Sequence, residues 1–141
     1  VYPSYLAHEV EFILNHSDSV ALIVENDKQM EKIFTILPKL RNLKLIVSIS
    51  ELSDETLKKF RNSVPYVSYR ELLRIGKEEV RIQPDYFENN IKDQQPDEMA
   101  SIFYTSGTTG EPKGVVITQE GLTSMLMNVE KTIKGAFTSQ D

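Results

Sequence analysis

Two short aliphatic runs, Val20-Ala21-Leu22-Ile23-Val24 and Leu43-Lys44-Leu45-Ile46-Val47, set the strongest limit on what this chain can fold into. A strand with one wet face alternates polar and apolar residues. A strand buried on both faces of a parallel sheet reads instead as a near-continuous apolar run. Both runs are of the second kind, and the later one extends as a strand from Leu43 to Ile49. Helical patterns alternate with them. Leu6, Val10, Ile13 and Leu14 precede the first run, and Met30, Ile33, Phe34 and Leu37 follow it at i, i+3, i+4 and i+7. Such alternation predicts an α/β chain, with a parallel sheet covered by helices on both faces.

The punctuation completes this outline. Ser4 is expected to cap the first helix and Asp27 the second, with Pro38 near its end. Ser53 caps a short third helix, and Leu52 and Leu57 are placed as a hydrophobic staple. Pro65 to Val67 reads as a short strand. Ser68 and Glu71 form an S-x-x-E capping box ahead of Leu72, Leu73 and Ile75, and Gly76 is the expected stop. Residues 77–98 are mostly polar and contain Pro84 and Pro96. They predict a surface connection with little regular structure, pinned to the body by Tyr86 and Phe87. Met99 to Tyr104 and Val115 to Ile117 are further strands. Thr118 caps a last helix whose apolar face is Leu122, Met125, Leu126, Val129 and Ile133, with Gly135 as its stop.

Composition removes several classes of function. With 141 residues the chain is one domain or part of a larger one. It has no cysteine, which excludes disulfide scaffolds, thiol catalysis and Cys zinc sites. A net charge of −5 gives no basic footprint for nucleic acid. No apolar run nears the ~20 residues that span a bilayer. The N-terminal stretch has no basic leader with a long apolar core, so it does not read as a signal peptide. Both ends read as cuts in a longer protein. His8 falls on the polar side of the first helix. His16 falls near its C-terminus, where the helix dipole favours a cation.

The chemistry lies in Tyr104-Thr105-Ser106-Gly107-Thr108-Thr109-Gly110-Glu111-Pro112-Lys113-Gly114. Gly107, Gly110 and Gly114 let the backbone approach a ligand closely. Successive N–H groups in such a turn form an anion nest. Hydroxyls on Thr105, Ser106, Thr108 and Thr109 add neutral donors, and Lys113 adds a mobile positive charge. No residue here is a good general base, so the loop suits positioning and charge neutralisation around phosphate. A Ser/Thr/Gly loop is often only a polar hairpin turn. The lysine, the three glycines and the flanking buried strands favour phosphate. Neither a Walker A loop nor a G-x-G-x-x-G fingerprint is present.

The string Y-T-S-G-T-T-G-x-P-K-G-V resembles the signature loop of the adenylate-forming family of acyl-CoA synthetases, luciferases and peptide-synthetase adenylation domains. Tyr2-Pro3, the Ile13-Leu14-Asn15-His16-Ser17 segment, the VALIVEN strand and the LPKLRNLKLIVSI stretch extend the resemblance over the whole chain, residues 1–141. In wording they are most similar to long-chain fatty-acid–CoA ligases. The resemblance implies a piece of the flavodoxin-like, parallel-sheet subdomain of that family's large N-terminal domain. It implies an ATP-dependent ligase that converts a fatty acid to acyl-AMP and passes it to coenzyme A. Ser106, Gly107, Thr108, Thr109 and Gly110 would hold phosphate oxygens. Lys113 would neutralise the departing pyrophosphate, and Thr105 would sit near Mg²⁺. The family's later motifs, with its Mg²⁺-completing glutamate and adenylation lysine, do not follow, so the piece is expected to be inactive alone. Where the family usually has a histidine after the loop, this chain has Gln119, which cannot titrate. The expected partners are fatty acid, ATP and coenzyme A, with no nucleic acid. The expected location is cytoplasmic, with peripheral membrane association of the parent as a further expectation. The exposed sheet surfaces of such a piece favour self-association. Two alternatives stand beside this reading: an adenylation domain that loads a carrier protein, and a non-catalytic nucleotide-binding module.

Overall fold

The computed structural model describes residues 3–60, 63–105 and 112–138, the last five of these as backbone only. The chain divides into two compact units, Val1–Asp85 and Tyr86–Asp141. In the first unit the elements run α1 (Ala7–His16), β1 (Ala21–Val24), α2 (Asp27–Ile36), a 3-10 turn (Leu37–Lys39), β2 (Leu45–Ser48), α3 (Asp54–Phe60), β3 (Tyr66–Ser68) and α4 (Tyr69–Ile82). The strands form a parallel sheet in the order β1-β2-β3, with Ile23 beside Val47 and Val47 beside Val67.

This order explains where the core lies. Parallel crossovers are right-handed. Two successive crossovers stepping in the same direction therefore leave α2 and α3 on one face. On that face Val10 and Leu14 of α1, Met30, Ile33 and Ile36 of α2, and Phe60 of α3 close over Val24 and Ile46. Met30 and Ile46 are wholly buried. Leu52 and Leu57 join this core as the expected staple, and Ser53 Oγ accepts the Thr56 amide at 3.3 Å. α4 lies near β2 and β3, and Ile23 at the β1 edge stays exposed. The expectation of a sheet covered on both faces is thus corrected. In the described residues the crossovers do not reverse direction, and on the face away from Ile46, Val47 is buried while Ile23 at the β1 edge is bare, so the second face is covered only in part.

Local chemistry corrects several boundaries. The N-cap of α1 is Leu6 rather than Ser4, and its amide donates to Glu9 Oε2 at 2.7 Å. Asn26, not Asp27, caps α2, its Oδ1 accepting the Gln29 amide at 3.2 Å. Ser68 caps α4 by accepting the Glu71 amide, while the Glu71 carboxylate turns to Arg74 instead of closing the box. Gly76 does not end α4, which runs on to Ile82. A glycine inside a helix costs only about 1 kcal/mol, and the Glu71–Arg74 and Glu78–Arg81 pairs flank it. The stretch 77–98 is therefore partly helical, and it remains exposed. Asp18 takes a left-handed turn, φ 51°, before β1, where Asn42 Nδ2 donates to its carboxylate at 2.8 Å.

The second unit holds α5 (Tyr86–Asp93), β4 (Met99–Thr105), β5 (Lys113–Thr118) and α6 (Gln119–Thr138). Within this unit Tyr86 and Phe87 are 63% and 70% exposed. β4 and β5 form an antiparallel two-stranded ribbon. Thr118 caps α6 as expected, its hydroxyl accepting the Gly121 amide at 3.2 Å. α6 runs past Gly135, and Met125, Leu126, Val129 and Ile133 on its apolar face are exposed.

Candidate phosphate-binding hairpin

The glycine-rich stretch joins β4 to β5, so its base is a hairpin. The register pairs Phe103 with Val115, Tyr104 with Gly114, and Thr105 with Lys113. Successive residues of a strand alternate faces. Thr105 and Lys113 are therefore directly opposed on the face that carries Phe103 and Val115. Both side chains are exposed. Eight residues apart in sequence, the hydroxyl and the ammonium start from neighbouring backbone positions. Ser106, Gly107, Thr108, Thr109 and Gly110 lie outside the described residues, as does Glu111.

The ribbon is joined to α6 through its backbone. Gln119 N–H donates to Glu98 O, and Glu120 N–H to Pro96 O, each at 2.9 Å. One feature is not evident from loop chemistry. A Cβ built on Gly114 would stand 2.9 Å from Ile102 Cγ2 and 3.4 Å from Tyr104 Cε1 and Cζ. Gly114 is thus a close-packing position within a strand as well as the end of a loop. Its signal in the sequence was a lone glycine at the start of an otherwise β-branched strand.

Thr105 offers one neutral oxygen to a cation. Among the described residues no three His, Cys, Asp or Glu side chains gather in a way that could hold a metal ion. A Mg²⁺ at Thr105 would therefore take its remaining ligands from phosphate, water or residues beyond these. His8 and His16 are both exposed, and the His16 ring stacks on Phe12 with centroids 5.3 Å apart. Neither belongs to a metal cluster among the described residues. A cleft of about 730 Å³ in the first unit is lined by Leu57, Lys58, Phe60, Val64 and Tyr66. No helix among the described residues is long and apolar enough to cross a membrane.

Comparison with known proteins gives a consistent result. A long-chain-fatty-acid–CoA ligase of Rattus norvegicus is 33% identical over 124 residues, covering 87% of this chain and 17% of the relative. Long chain acyl-CoA synthetase 3 of Arabidopsis thaliana is 30% identical over 135 residues, 95% of this chain and 19% of the relative. The chain thus spans under a fifth of the length of these relatives. Among solved structures, an anthranilate CoA ligase in complex with anthranoyl-AMP is similar with a TM-score of 0.54 and 22% identity. The match covers 84% of this chain and 19% of that one, and it speaks to the fold alone. A profile described as AMP-binding enzyme matches residues 1–141, from one end of the chain to the other, and the chain belongs to that family.

Proposed function

We propose that this chain supplies the phosphate-handling hairpin of an ATP-dependent acid–CoA ligase acting on long-chain fatty acids. On this reading the first unit belongs to a flavodoxin-like subdomain of a larger N-terminal domain. The observation that carries the proposal is the uninterrupted Tyr104–Gly114 string, set on a hairpin that holds Thr105 opposite Lys113. The names of the relatives support coenzyme A as acceptor and a long-chain fatty acid as substrate.

The reaction runs in two steps. A fatty-acid carboxylate oxygen attacks the α-phosphorus of ATP, and the bond to the bridging oxygen breaks. Acyl-AMP forms and pyrophosphate leaves with the electron pair. The thiolate of coenzyme A then attacks the acyl carbon and AMP departs. Negative charge grows on the pyrophosphate during the first step, so a cation is most useful there. Lys113 supplies it. Ser106 to Gly110 would offer hydroxyls and amides to the β- and γ-phosphates, and the Thr105 hydroxyl would help to hold a Mg²⁺, which would supply further charge neutralisation on phosphate. The chain's part is to bind and neutralise, with no proton transfer assigned to it.

The test is exchange of labelled pyrophosphate into ATP by the complete protein that carries this chain, across acids of increasing length. Exchange that rises toward long chains, followed by thioester formation with coenzyme A, is the expected result. Exchange with no acid at all sinks the proposal. Transfer to a phosphopantetheine carrier and not to free coenzyme A would replace the acceptor. The 141-residue chain alone should show no exchange.

A further inference from the structure

Gly114 is the sole glycine of β5, and it faces the one tyrosine of β4. The space beside its Cα is taken from the facing strand by Ile102 Cγ2 and the Tyr104 ring. Every other residue of β5 carries a Cβ. Slipping the pairing by one residue sets Tyr104 opposite Lys113 or Val115. Slipping it by two sets Tyr104 opposite Pro112 or Val116. Each of these carries a Cβ, which at position 114 would stand 2.9 Å from Ile102 Cγ2 and against the ring at 3.4 Å. A one-residue slip would also send Lys113 to the opposite face from Thr105. A two-stranded ribbon is marginal on its own, so its register needs a selector.

We propose that the seating of the Ile102 methyl and the Tyr104 ring on Gly114 is a register lock that keeps Lys113 on the same face as Thr105. Tyr104 and Gly114 are then positioning residues for the phosphate contact, an inference that rests on the phosphate reading above. The absence of cysteine from this chain lets paired cysteines report the register. In the 141-residue chain, Phe103→Cys with Val115→Cys should cross-link readily under mild oxidation, since these positions are opposed. Adding Tyr104→Leu or Gly114→Val should lower that yield severalfold and raise the yield of Phe103→Cys with Val116→Cys. Tyr104→Phe keeps the ring and should keep the native yield. If the larger changes prevent folding, Gly114→Ala asks least of the fold and should show the same direction. Native yields in Tyr104→Leu and both Gly114 variants overturn the lock. In the complete protein, adding Tyr104→Leu to Lys113→Ala should cost no further pyrophosphate exchange, because Tyr104 acts through Lys113. Additive losses overturn the positioning role. Lost register together with a neutral Lys113→Ala would leave the lock standing and count against the phosphate reading alone.

Discussion

The Asp27 carboxylate accepts the backbone amide of Ser53 at 3.1 Å and the Ser53 hydroxyl at 3.0 Å, tying the first turn of α2 to the N-cap of α3. Hydrogen bonding from the Thr56 hydroxyl, then from the Ser53 amide and hydroxyl, holds this carboxyl below its ordinary value. The sign follows directly. A group whose folded pKa is depressed stabilises the fold fully above its unfolded pKa of about 4 and loses that contribution as pH falls through the folded value. Asp27→Asn should therefore lower the melting temperature at neutral pH. The gap from wild type should close as pH drops below about 4. Thermal melts at stepped pH read this, and a gap that is constant down to strong acid would rule out the linkage.

The buried face of the sheet makes a second prediction. Ile46 is wholly buried between strand neighbours and helices, while Ile23 on the adjacent strand is 62% exposed. Ile46→Ala removes apolar atoms and leaves a cavity, at a cost of about 2–5 kcal/mol. Ile46→Val should cost about 0.5–1.5 kcal/mol. Ile23→Ala should stay within about 0.5 kcal/mol of wild type. Urea denaturation separates these values. Equal losses at Ile46 and Ile23 would mean that both faces of the sheet are covered.

How much of this was legible depended on the kind of signal. Apolar periodicity placed α1, α2 and the parallel strands, because burial of Val10, Met30 and Ile46 is written in side-chain type. Ser53 and Thr118 were legible as caps, because each is a short hydroxyl residue directly before a helix. At α2 two adjacent residues could cap, and the choice of Asn26 over Asp27 was set by Ser53, 26 positions away, which claims the Asp27 carboxylate. Gly76 was misleading because local propensity is a weak prior, and the helix around it continues. Exposed sheet surface was expected, but its place at Ile23 was not legible, since run composition does not state which way a crossover steps. In the hairpin, the string revealed the loop chemistry, but the opposition of Thr105 and Lys113 needed the strand register.

The exposed apolar residues predict association of this chain on its own. Val20, Ile23 and Ile49 are each more than half exposed around β1, an outer strand of its sheet. An open strand edge with apolar neighbours pairs readily with another. Light scattering at high micromolar concentration should show dimers or larger species. Ile23→Lys together with Ile49→Lys should shift the distribution toward monomer. A sharp monomer peak for the unaltered chain would contradict this.

Lys113 carries the sharpest functional prediction. It is exposed, it begins β5, and it stands opposite Thr105 at the base of the loop. If its work is to meet charge that grows on departing pyrophosphate, removing it should slow adenylation more than it weakens binding of the acid. Loss of one such contact typically costs roughly 2.7–4 kcal/mol, or about 10²–10³ in rate. Lys113→Ala in the complete protein should therefore lower kcat for pyrophosphate exchange by that order, with KM for the fatty acid little changed. Lys113→Arg keeps the charge but not its compact geometry, and should fall between the two. The second step, transfer from preformed acyl-AMP to coenzyme A, releases no pyrophosphate. It should be far less sensitive to Lys113→Ala when acyl-AMP is supplied directly. Equal losses in both steps would mean that the variant damages the fold or a shared contact, and the assignment of Lys113 to the leaving group would fail.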